Sequence, residues 1–445
     1  MHKPVIALLL TSLLQPSVCL SQSTHKYSFS ELIERVASLN AEIGEARWRL
    51  RKAQAWKRQA FGSRILPRLR LSSESGLVPE AKGDLFNPPS DTTGVRTLGP
   101  FTRAKLEFAQ PIYAFGKYSN LMRAVEAGVN VEEAALDEKS LEVVFETKEL
   151  YYGLLLAKDL KDLVEGVLQQ LQERRVETQD NPELSLGDEY KLKLAMIELK
   201  HQILEAKSNA DLAREALAWK VGISPPDTLL LAAKWLEPEV HDVPSFTDLV
   251  SHALATRPDW RRLQAGKKAK KSLRDAARSS YYPEISLGGG IRYAIAPNRT
   301  DQHNPFVKDN FNYFNGGVFL QIRQSFEWSM LRGESEQAQA DYRELVAKER
   351  GASQGIRVDV KRAHSQFILA EQGLESMRER RKLTREWLRL AKEEQEFDPG
   401  QIKELIDAYQ AWVLQERDYL ESIYEFNVKL ASIERTIGGT SLIRP

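Results

Sequence analysis

The stretch Phe101-Thr-Arg-Ala-Lys-Leu-Glu-Phe-Ala-Gln-Pro-Ile-Tyr-Ala-Phe-Gly116 decides the fold, because its period changes partway along. From Phe101 to Phe108 the residues alternate, with Ala104, Leu106 and Phe108 on one side of a strand and Arg103, Lys105 and Glu107 on the other. Gln110-Pro111 and Gly116 break that strand. From Lys117 the apolar spacing is helical for more than fifty residues without a proline. Val143, Thr147, Leu150, Leu154 and Ala157 step by four and three, the seam of a helix packed lengthwise on a neighbour. At about 1.5 Å per residue, a helix from Lys117 to Arg175 would be on the order of 90 Å long, more than a globular domain needs.

Met1-His2-Lys3 is basic, Val5 to Leu14 is apolar, and Ser17, Cys19 and Ser21 are small, so residues 1–21 read as a secretory signal peptide. The apolar run is too short for a spanning helix, which needs about 20 such residues. Cys19 as a lipid-attachment site is the alternative, but Pro16-Ser17-Val18 lacks the aliphatic and small residues that usually precede one. Cys19 is the only cysteine, so cleavage after it leaves no disulfide or thiol chemistry. With 28% charged residues but a net charge of +1, there is no field to draw in nucleic acid. No later window offers eighteen apolar residues, so any membrane contact is expected through strands.

An internal repeat organises the rest. Phe29-Ser-Glu-Leu-Ile-Glu-Arg-Val-Ala37 returns as Phe246-Thr-Asp-Leu-Val-Ser-His-Ala-Leu254, each leading into a polar helix that stops near a proline, Pro67 or Pro283. Alternation follows each time, most clearly in Ile285, Leu287, Gly289, Ile291, Tyr293 and Ile295. The first repeat is expected over 22–245, with strands at about 65–78 and 101–110, a helical hairpin at about 117–221 and a proline-rich linker at 222–245. The second is expected over 246–445, with strands at about 283–296 and 317–326 and a hairpin at about 330–437. Two further seams support the hairpins. One is Ile356, Val360, Ala363, Phe367, Ala370, Leu374 and Met377; the other is Ile423, Phe426, Leu430, Ile433 and Ile437. Four strands cannot close a barrel, and unpaired backbone groups in lipid cost several kcal/mol each, so a bilayer-spanning sheet of this kind demands oligomerisation. Three copies would give twelve strands, within the range of outer-membrane barrels.

The chain resembles the TolC-like outer-membrane efflux family. The likeness rests on the paired repeats, Gln110-Pro111-Ile-Tyr-Ala-Phe-Gly116, Tyr151-Tyr152-Gly-Leu-Leu-Leu-Ala157, Ala255-Thr-Arg257-Pro258-Asp259 and Leu405-Ile-Asp407-Ala408, in that order. The resemblance implies a mostly α fold with a β-barrel part: a homotrimer with a twelve-stranded barrel in the outer membrane of a Gram-negative-type bacterium, continuing into an α-helical coiled-coil periplasmic tunnel. It implies the exit duct of a tripartite efflux or type I secretion system, served by a periplasmic adaptor and an inner-membrane pump. Family members carry Arg, Gly and Ser around the hairpin tips where the adaptor docks. Here Arg175, Gly187 and Gly400 are the candidates, although the first turn is lengthened by Asp180-Asn-Pro182 and the second shortened before Leu405. The family's resting closure, often lined by carboxylates of the last hairpin, points to Glu404 and Asp407, three apart on one helix face. The alternative for both is solvent exposure or pairing with Lys403 or Arg385.

On the barrel, Leu106, Phe108, Leu287, Ile291, Val318 and Leu320 are expected to face outer-membrane lipid. Tyr113, Phe115, Tyr281, Tyr282 and Trp328 sit where strand gives way to helix, as interface aromatics or as packing residues. The seven histidines are scattered, and there is no phosphate loop, nucleophile elbow or metal-ligand spacing, so no enzyme, cofactor or metal is expected. Lys267-Lys-Ala-Lys-Lys271 reads as a solvated helix face, not a nucleic-acid patch. A secreted trimeric coiled-coil fibre or adhesin is the rival. It accounts for the heptads but not for four symmetric strands. The cargo is not legible in the chain.

Overall fold

A computed structural model describes residues 26–82, 97–178, 186–223, 229–239, 242–301, 304, 306, 308–397 and 402–439. The signal segment with Cys19, and Gly400 at the second hairpin turn, lie outside the described residues. The elements run β1 (Lys26–Tyr27), α1 (Phe29–Leu39), α2 (Ala41–Ile65), β2 (Arg68–Pro79), β3 (Leu98–Tyr113), α3 (Lys117–Thr178) and α4 (Leu186–Lys220). The same order of types then recurs as β4 (Leu230–Leu231), α5 (Phe246–Thr256), α6 (Pro258–Ser279), β5 (Glu284–Ile295), β6 (Tyr313–Arg323), α7 (Trp328–Phe397) and α8 (Ile402–Ile437).

The chain forms two compact units, to both of which α3, α7 and α8 contribute. One comprises Met1–Asn40, Glu146–Pro238 and Leu374–Glu425. There the helix spacing becomes a core of Val164, Val167, Leu171, Leu199, Leu388 and Ala408 with their neighbours, each buried Val or Leu stabilising by about 1.5–3 kcal/mol. Phe29 follows a complete capping box, Ser28 with Glu31, and its ring packs on Tyr151 at 4.9 Å and Tyr152 at 6.4 Å. The proline-rich segment after α4 is anchored to this unit. β4 pairs in parallel with β1, and the Leu236 N–H donates to Asp159 Oδ2 at 2.7 Å.

The other unit comprises Ala41–Phe145, Glu239–Gly373 and Phe426–Pro445 and holds the sheet. Ile356, Val360, Ala363, Phe367 and Ala370 of α7 are buried, as are Phe426, Leu430, Ile433 and Ile437 of α8, and the rings of Phe367 and Phe426 lie 5.4 Å apart. The Arg257-Pro258-Asp259 turn is a clamp. Arg257 Nε bonds Asp259 at 2.9 Å, its Nη2 reaches Asp359 of α7 at 3.1 Å, and Thr256 Oγ1 donates to the Ile437 carbonyl at 2.7 Å.

The sheet order is β2-β3-β5-β6, antiparallel throughout. Among the described residues β2 and β6 each have one partner strand. The strand limits differ from expectation in β2, β3 and β6, and β2 starts at Arg68 because α2 runs on to Ile65. β3 runs through Pro111 to Tyr113, because a bulge between Pro111 and Tyr113 absorbs the proline's missing N–H. β6 spans Tyr313–Arg323 instead of ending at 326, and α7 starts at Trp328.

Candidate functional site

The register divides the sheet by charge. Across all four strands one face carries the rows Leu69, Phe108, Gly289, Val318; Leu71, Leu106, Ile291, Gly316; and, from three strands, Gln110, Leu287, Leu320. All six residues expected to face lipid fall on this face, which carries no charged side chain. Leu71 is 73% exposed, Val318 68% and Leu320 61%, so the chain alone leaves the face uncovered. Every charged residue of the sheet lies on the opposite face, where Glu74 pairs with Arg103 and Lys105 with Glu107.

One end of the charged face is crossed by the loop after β5. Asn298 bonds Glu80, the Thr300 N–H donates to the Ala81 carbonyl at 2.9 Å, and Asn298 sits where a Cβ on Gly99 would stand. Phe311 meets Phe101 at 5.7 Å, with Arg299 over the Phe311 ring at 4.0 Å. Apart from Arg299 over Phe311, these contacts join segments about 200 residues apart, and no local spacing announces them.

At the other end the sheet turns into helices. Phe115 and Gly116 take positive φ, 47° and 90°, which lets the chain leave β3 and enter α3 at once. Tyr118 donates to Glu284 at 2.8 Å and Lys117 reaches the same carboxylate at 3.3 Å; burial and that bond push the Tyr118 hydroxyl up to about 12. The five junction aromatics fall into two groups, all exposed except the half-buried Tyr281. Tyr113 meets Phe115 edge-on at 4.8 Å, Phe115 stacks on Tyr282 at 5.2 Å, and Tyr281 stacks on Trp328 at 6.3 Å.

In the helical unit, Glu404 and Asp407 are exposed on α8. Glu404 accepts from Trp387 Nε1 at 3.2 Å, and Asp407 lies at the rim of an apolar groove between α3, α4 and α8. Arg385, an alternative partner for either, instead joins Arg381 on Glu416, a carboxylate 6% exposed. Arg175 lies in α3, with its side chain outside the described residues; Gly187 is exposed at the start of α4. Among the described residues no group of acidic, histidine or cysteine side chains is arranged to hold a metal, and no helix is long and apolar enough to cross a membrane.

The fold is that of outer-membrane channel proteins. The open-state MtrE channel of Neisseria gonorrhoeae superposes with a TM-score of 0.76 at 17% identity, over 92% of this chain and 89% of that one. VceC, an outer membrane protein of Vibrio cholerae, gives 0.72 at 18%, covering 92% and 96%. The CmeC outer membrane channel of Campylobacter jejuni gives 0.69 at 18%, covering 92% and 85%. Over residues 249–439 the chain matches the family model for outer membrane efflux proteins. No curated protein is significantly similar in sequence to the chain.

Proposed function

We propose that three copies of the chain form a passive outer-membrane exit duct. The observation that carries this reading is the charge-segregated sheet with two half-paired edge strands. Such edges are not tolerated in lipid, and joining β6 of one copy to β2 of the next removes all of them at twelve strands. The helices support the same closure. α4 exposes Tyr190, Leu194, Ile197 and Leu204 at heptad-like spacing, and α7 exposes Leu383 and Leu390, seven apart, so each of these helices leaves apolar side chains for a neighbouring copy to cover. In this reading the helices form a periplasmic tunnel whose hairpin ends, at Arg175, Gly187 and Gly400, meet a periplasmic adaptor. The adaptor links the duct to an inner-membrane pump that supplies the energy. Glu404 and Asp407 ring the tunnel's narrow end, and the chain itself performs no catalysis. The match of residues 249–439 to the family model for outer membrane efflux proteins supports the reading. The test is outer-membrane fractionation, a heat-modifiable trimer in detergent, and single-channel conductance in planar bilayers. A soluble protein that assembles but never conducts would end the duct reading.

A further inference from the structure

The charged face of the sheet is unbalanced. It carries Arg68, Arg70, Arg103, Lys105, Arg292 and Arg323 against Glu74, Glu107 and Glu284, a surplus of three positive charges. The surplus is concentrated where Lys105 of β3 stands directly opposite Arg292 of β5. Like charges opposed across a ladder destabilise it, so this pair calls for a counter-charge. The sheet supplies it only in part, because one carboxylate, Glu107, directly opposite Arg70 and near Arg292, serves Lys105, Arg70 and Arg292 together. Glu107 is bonded to Lys105, Glu74 to Arg103, and Glu284 to Lys117 and Tyr118. Among the described residues Arg70 and Arg292 make no ion pair. Arg292 is only lightly covered: Gly290, two residues before it on the same face, and Gly317 opposite Gly290 carry no side chain, Asn315 opposite it on β6 is neutral, and the nearest carboxylate is that of Glu107 beside Gly290.

We infer that this face, lining the water-filled part of the duct proposed above and resting on that reading, makes the strand-built stretch of the pore prefer anions. Arg70, Lys105 and Arg292 draw the anion in. The ligand class is an anion small enough to pass, and chloride is its probe. Threefold repetition would focus three copies of the surplus into one low-dielectric ring.

The experiment compares full-length wild type with R70Q/K105Q/R292Q and with E74Q/E107Q, in neutral phosphatidylcholine bilayers under a tenfold KCl gradient. Glu404 and Asp407 stay intact throughout. The triple variant should lower the chloride-to-potassium permeability ratio by at least about twofold, and the glutamate variant should raise it. The two shifts are opposite in sign, so failure of either variant to assemble leaves the other as the test. Conducting channels with an unchanged ratio, or a shift of the wrong sign, overturn the anion preference and leave the duct standing. Assembled trimers that never conduct overturn the duct, and the anion preference with it.

Discussion

The ring of Phe108 on β3 lies so close over Gly289 on β5 that a Cβ at Gly289 would stand 2.5 Å from Phe108 Cε1. The same Cβ would be 2.7 Å from the Gly317 carbonyl oxygen, so paired backbone as well as a ring would have to move. At Gly288 the nearest obstacle is the ring of Phe319 alone, at 2.8 Å. Gly289→Ala should therefore destabilise the assembled protein by about 1–3 kcal/mol, and Phe108→Ala should not rescue it. Gly288→Ala should cost less and recover in combination with Phe319→Ala. Thermal dissociation followed on semi-native gels reads both; equal losses at the two glycines would contradict the register.

The uncharged face predicts an asymmetry between neighbours. Leu287 and Ser286 are adjacent but point to opposite faces. If the uncharged face meets lipid, Leu287→Arg places a cation against acyl chains, at about 2–4 kcal/mol near mid-depth, while Ser286→Arg adds one to an already charged wall. Trimer recovered from membranes should fall sharply for the first and little for the second.

Trp328 stacks on Tyr281 yet stays 57% exposed at the start of α7. An indole at the edge of the hydrocarbon is within reach of shallow acyl-chain quenchers. Brominated lipids should quench Trp328 in a variant with the other tryptophans replaced. Insensitivity would assign the ring to protein packing alone.

Glu404 and Asp407 should act together on cations entering from the hairpin end. Glu404→Gln with Asp407→Asn is expected to weaken block by divalent and trivalent cations added on that side. Unchanged block would remove both residues from the closure and leave the tunnel in place.

Asp159 gives a pH signature in the helical unit. Burial holds its carboxyl above the ordinary value of 3.8 against the opposing bond from the Leu236 N–H, and Oδ1 has no partner among the described residues. The folded chain therefore keeps this proton longer than the unfolded chain. Its contribution is greatest below the ordinary value and is lost as pH rises through the raised one. Asp159→Asn should gain on wild type as pH rises from about 4 toward neutrality. A difference in melting temperature that is flat with pH would refute the assignment.

Much of this is legible in the sequence. The seam from Ile423 to Ile437 is buried residue for residue, and the alternation around Leu106 and Ile291 gives the sheet its two faces, because periods of 3.5 and 2 are local properties. What escaped was nonlocal. The opposition of Lys105 and Arg292 depends on a register between strands far apart in sequence. Likewise, Glu416 takes up Arg381 and Arg385 through a pairing of α7 with α8 that charge spacing alone does not select. The extension of β3 past Pro111 was hidden because a proline reads as a stop until a bulge is known to absorb it.

The two half-paired edges and the bare aliphatic face between them also govern how the protein must be made. Before it meets its fellows each chain is an adhesive strip, with hydrogen-bonding templates along both margins and a greasy surface in the middle. Encounter in the wrong solvent would extend such strips edge to edge without limit, whereas in the proposed duct growth would stop where curvature closes a ring. Yield should therefore respond to the rate of synthesis more than to temperature. A slow supply of chains, escorted singly to the bilayer, favours closed rings over open aggregates.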